Sequence, residues 1–139
     1  MNALQRLMLG SGRLPEDLRA SLVASDDVVF LEEGLTGSVT RRLVRSSGRH
    51  VEWERQAASG AIAVTTGRRM LVWAGRFKHI DVAMTHPLWA TIEFSIDRPN
   101  RVCFAYAPAA TDPGQSGRVE VRLKTPRVKQ LARLVTRPV

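Results

Sequence analysis

Three residues in the middle of the chain, His79, Asp81 and His86, are of the types that ligate transition metals, and the first two stand two positions apart. On an extended strand that spacing places both side chains on one face. None of the ligand spacings that mark known metal centres surrounds them, so they read as polar residues of an exposed strand face. No metal and no other cofactor is expected. Cys103 is the single cysteine, which excludes a disulfide framework within this sequence and fits a reducing compartment. It lies between Val102 and Phe104 and reads as a small packing residue. A nucleophilic cysteine would need a neighbouring base in an electropositive, partly exposed setting. No Gly-x-Ser-x-Gly elbow, His-Glu-x-x-His pair or paired-carboxylate arrangement occurs, so the chain is not expected to be an enzyme.

The stretch Thr65-Thr66-Gly67-Arg68-Arg69 poses a different question, because a small-residue loop with basic neighbours can grip phosphate. It lacks the Gly-x-x-x-x-Gly-Lys-Ser/Thr spacing and no helix follows it. It reads instead as the tip of a β-hairpin, with Gly67 supplying a positive φ. Trp53 and Trp73 continue apolar alternations and are expected in the core; Trp89, after Pro-Leu at a strand start, carries no clear assignment. Aromatics interleaved with arginines can also stack bases, which keeps nucleic acid as a third functional alternative.

The formal net charge is +8, and it is uneven: −3 over residues 1–40, +6 over 41–81, −1 over 82–117 and +6 over 118–139. Such a field attracts nucleic acid, anionic lipid or an acidic protein surface, while arginine-rich composition alone would produce much the same total.

The elements that would hold these residues alternate in a strand-like manner over most of the chain. Length bounds the chain to one domain of 139 residues, with 44% apolar residues, enough for a core without staples. A short helix is expected from Asn2 to Leu9. A second starts at Pro15, with Leu14, Leu18 and Leu22 on its apolar face and Glu16 and Asp17 in its first turn. Strands are predicted in "VVFL", "TGSVTRRLVR", "HVEWERQA", the two arms around the Thr65–Arg69 tip, "KHIDVAM", "ATIEFSID", "RVCFAYA" and "GRVEVRLKT". The 108–117 loop separates the last two. Thr125 and Pro126 then start a helix whose Val128, Leu131, Ala132 and Val135 form one apolar arc, with Lys129 and Arg133 opposite. No stretch approaches the roughly 20 apolar residues of a membrane span. The opening residues do not have the pattern of a secretory signal, so a cytoplasmic protein is expected, with attachment to the membrane periphery as the second outcome.

The order of these elements resembles the pleckstrin-homology-like superfamily, in its GRAM and bacterial PH-like branches. The lead-in Leu31-Glu32-Glu33-Gly34, the hairpin from Ser59-Gly60 through Ile62, Val64, Thr65, Arg69 and Leu71, and the closing helix Thr125–Val135 carry the resemblance. It covers residues 25–136, which divides the chain into a helical extension, 1–24, and a PH-like domain, 25–139. The resemblance implies a β-barrel or sandwich of about seven antiparallel strands with a C-terminal capping helix. It also implies a non-catalytic interaction module, first for a protein partner and second for anionic membrane lipids. The basic hairpin residues Arg41, Arg42, Arg45 and Arg49, joined by Arg68 and Arg69 at the second tip, are the candidate anion-binding set. The spaced Lys…Lys/Arg-x-Arg pattern of phosphoinositide-binding members is missing, which argues against specific headgroup recognition.

Overall fold

The structure, a computed structural model, describes residues 12–24, 28–46 and 49–136, without the side chains of Ser46, Arg49 and Val51. The helix expected over Asn2–Leu9 lies outside these residues. Among them the chain is mainly β. Helix α1 (Glu16–Ala24) precedes strands β1 (Val28–Ser46), β2 (Arg49–Thr65), β3 (Arg69–Ala74) and β4 (Phe77–Ala83). A 3-10 turn (Pro87–Thr91) leads to β5 (Glu93–Arg98) and β6 (Arg101–Tyr106). A second such turn (Pro108–Ala110) leads to β7 (Ser116–Lys124) and helix α2 (Val128–Thr136). No described helix is long and apolar enough to cross a membrane.

All seven strands join one antiparallel sheet in the order β4-β3-β2-β1-β7-β6-β5. Two long strands organise it. "VVFL" and "TGSVTRRLVR", expected as separate segments, are one strand of 19 residues, and "HVEWERQA" runs on through the next arm as one of 17. The small residues that interrupt the apolar alternation mark close packing inside β2 rather than its end. At Gly60 an added Cβ would lie 2.3 Å from the Trp73 carbonyl oxygen and 2.8 Å from Leu123 Cδ2, closer than real carbon atoms approach.

The long β1–β2 ribbon carries two wings at different heights. β3 pairs with the far half of β2, from Gly60↔Ala74 to Val64↔Met70. β7 pairs with the second half of β1, from Gly37↔Leu123 to Arg45↔Ser116. Phe30, Ile62, Val72 and Ile80 from one side and Val102, Phe104, Val121 and Leu123 from the other belong to one core cluster, so the inner faces of both wings share a single interior. Helix α2 inserts Val128 and Leu131, the latter fully buried, into that interior. Thr125 Oγ1 accepts from the Arg127 N–H at 3.1 Å at its start, and the Arg127 guanidinium lies 4.5 Å over the Phe30 ring. The C-terminal helix is present, but it begins at Val128, two residues after the expected Pro126, because Pro126 and Arg127 form a turn; Val128, Leu131 and Val135 of the expected arc face the core, with Leu134 beside them.

Helix α1 closes the opposite surface of the β3 side. Leu14 and Leu22 pack with Ala61, Ala63 and Leu71, joined by Leu18 and Trp73, on the outer face of the sheet. Glu33 fastens it, accepting from the Leu14 N–H at 3.0 Å and from Arg19 Nε at 2.7 Å. Covered on both faces, this wing explains why Trp73 is half-buried, in an outer layer rather than in the main core.

Candidate functional site

The outer face of the other wing carries no described helix. Successive side chains of a strand point to opposite faces, and directly opposed residues of neighbouring strands share a face. One rung therefore runs Trp53, Arg42, Arg118 across β2, β1 and β7. The next runs Arg55, Thr40, Glu120, and a third sets Ser38 beside Arg122 and Cys103. Arg98 and Arg101 flank the β5–β6 turn at the margin. Thr40, Arg42, Trp53, Arg55, Arg98, Arg101 and Arg122 line one depression of about 170 Å³.

Three carboxylates thread this arginine face. Glu120 accepts from Arg42 Nε at 2.6 Å and from Arg122 Nη2 at 3.2 Å. Asp97 takes Arg101 in a two-pronged bond, Nε at 2.8 Å and Nη2 at 2.9 Å, and also Arg122 Nε at 2.9 Å. Glu93 pairs with Arg118. Burial opposes ionisation of Glu120, but the Arg42 hydrogen bond and the nearby guanidinium charges outweigh it and hold the carboxyl below its ordinary value. Asp97 is depressed in the same way, by Arg101 and Arg122 against its burial. Arg55 and Arg98 carry no ion pair among the described residues. Beneath the guanidinium groups Cys103 is 5% exposed, and burial pushes its thiol up, as befits a packing residue.

Trp53, expected in the core, is 59% exposed. β2 extends beyond the reach of β3 at this point and no described helix lies over it, so the Trp53 ring looks outward. The face was visible in the sequence as alternating arginines in "GRVEVRLKT", yet only the pairing of β7 with β1 and β6 assembles it. Arg55, Arg98, Arg101, Arg118 and Arg122 were not in the candidate set.

The six candidate residues do not converge. The β1–β2 tip follows Ser46 and the β2–β3 tip follows Thr65, at opposite ends of β2, separated by a contour on the order of 50 Å. Arg42 and Arg45 are exposed on β1, Arg45 donating to His50 Nδ1 at 3.0 Å. Arg41 points inward, its Nη1 3.8 Å from Glu54 Oε1. The Arg49 side chain lies outside the described residues. Arg69 grips Asp81 through two bonds, at 2.7 and 2.9 Å. Arg68, not Gly67, supplies the positive φ at that tip, +62°. Its N–H closes the turn on the Thr65 carbonyl at 3.0 Å, while Thr65 Oγ1 accepts from the Arg69 N–H. The stretch is a hairpin turn, as read.

His79, Asp81 and His86 are engaged separately. β4 pairs Trp73↔Lys78 and then Val72↔Ile80, which leaves His79 as the extra residue of a bulge. The bulge turns it off the face of Asp81 and toward β6, where its Nδ1 lies 2.7 Å from Tyr106 Oη. Burial, with the Arg41 charge nearby, lowers His79 to about 4, and burial raises Tyr106 to about 12 against the opposing pull of Arg41. His86 Nδ1 accepts from the Leu88 N–H at the start of the first 3-10 turn. Among the described residues no group of three His, Cys, Asp or Glu side chains is placed to hold a metal.

Comparison of the chain with family models, with curated proteins and with solved structures finds no match.

Proposed function

We propose that the chain is a non-catalytic interaction module of PH-like type that docks an acidic protein surface on its arginine face. The observation that carries this reading is the outer sheet face, with no described helix over it, on which Arg42, Arg55, Arg98, Arg101, Arg118 and Arg122 surround the exposed Trp53. Tryptophan and arginine are the residue types that dominate binding energy at protein interfaces, because each combines a large contact area with directed hydrogen bonds. The PH-like assignment rests on the strand order and the capping helix α2, set beside the sequence resemblance. Anionic lipid is the second reading, favoured by Leu43, 64% exposed next to Arg42. Photocrosslinking from position 53 in cells tests the first. A discrete crosslinked protein, absent when the crosslinker sits at Val23 on α1 and lost with Arg55→Glu and Arg98→Glu, supports it. Crosslinks to lipid alone would replace it with the second reading.

A further inference from the structure

The arginine depression admits a sharper reading, which rests on the acidic-docking proposal above. Five guanidinium groups, those of Arg42, Arg55, Arg98, Arg101 and Arg122, line it. Among the described residues two carboxylates, Asp97 and Glu120, are bonded into that group. The excess charge concentrates at Arg55 and Arg98, which have no carboxylate of their own among the described residues. Like charges held this close repel unless water or an anion separates them.

We propose that this depression binds a phosphomonoester on a segment of a partner protein. A phosphomonoester carries a charge of about −1.5 to −2 near neutral pH and three acceptor oxygens, so it matches the excess better than one carboxylate does. Guanidinium forks suit its geometry, donating two parallel N–H bonds each. Trp53 forms one wall and leaves most of its ring in water, a surface for the residues flanking the phosphate. The carboxylates decide against a continuous polyanion. Glu93, Asp97 and Glu120 lie across the same face, so a nucleic-acid backbone or a flat anionic bilayer would have to pass over them. A single dianion needs only the depression.

The test is a titration of the full chain at low salt with acetyl-Gly-Ala-phosphoserine-Ala-Gly-amide, followed through the arginine Nε–H resonances. Parallel arms use the same peptide with glutamate in place of phosphoserine, inorganic phosphate, and vesicles of phosphatidylcholine with phosphatidic acid. The phosphopeptide is expected to shift the Arg55 and Arg98 signals and to bind about tenfold tighter than the glutamate peptide. Arg55→Ser with Arg98→Ser should abolish this binding with an unchanged circular dichroism spectrum; Arg55→Lys with Arg98→Lys should retain part of it. Inorganic phosphate should compete. Equal affinity for the phosphoserine and glutamate peptides overturns the phosphate site but leaves acidic docking standing. Sedimentation with vesicles in the absence of any peptide binding overturns both.

Discussion

Trp53 and Arg42 stand directly opposite one another across the β1–β2 ladder, the indole 59% exposed and the guanidinium bonded to Glu120 at 2.6 Å. A large aromatic left in water beside a fixed charge contributes little to the fold. Trp53→Ala should therefore change stability by no more than about 0.5 kcal/mol in urea unfolding, as surface substitutions do. A loss of about 3–5 kcal/mol, the cost of emptying a buried aromatic site, would place the ring in the core instead.

Leu131 tests the other end of the design. Fully buried at the contact of α2 with the sheet, it should cost about 2–5 kcal/mol when changed to alanine. Lys129→Ala, on the exposed side of the same helix, should be nearly neutral. Thermal unfolding of the two variants side by side distinguishes a capping helix from an ornamental one.

The core elements were legible because their signals are local. Thr125-Pro126 announces a helix, which begins two residues later at Val128, and the Leu14, Leu18, Leu22 spacing marks the face buried on the α1 side. Two kinds of feature were not. The bulge at His79 moves one side chain off its expected face, and nothing in "KHIDVAM" records the extra residue. The arginine face is a product of register: Arg42, Arg118 and Arg122 meet Arg55 and Arg101 only because β7 closes on both β1 and β6. Each hairpin taken alone shows only its basic tip, and β2 holds the two tips at opposite ends.

His79 should make stability fall on mild acidification. Its folded value, about 4, lies below the ordinary histidine value, so between the two the unfolded chain binds the proton and the folded chain does not. The neutral ring's contribution is complete above about pH 6.5 and is lost as pH falls toward 4, by roughly 3 kcal/mol at most. Urea midpoints measured across that window should drop in the native chain. His79→Gln should flatten the slope there; an unchanged slope would mean that another group carries it.

Glu120 is shifted in the same direction, but for a different reason: against its burial, neighbouring guanidinium groups favour its charged form. Its carboxyl is held below the ordinary value, so its contribution is present above roughly pH 4.5 and is lost as pH falls through the lower folded value. Glu120→Gln at neutral pH should cost about 1–3 kcal/mol by removing the charged acceptor of Arg42 and Arg122. The same change adds to the uncompensated positive charge and should tighten binding of an acidic peptide. Loss of both stability and affinity in a chain that remains folded would contradict the division of labour between carboxylates and ligand.

The proposed binding surface is the outer face around Trp53, not the hairpin tips. Backbone and indole amide spectra recorded during titration with an acidic peptide test it most directly. The account predicts shifts confined to the Trp53 indole and to Thr40, Arg55, Arg98, Arg101 and Arg122, weakening steeply with added salt. Shifts centred on Thr66, Gly67 and Arg68, or spread over α1 with the Trp53 indole unmoved, would contradict it.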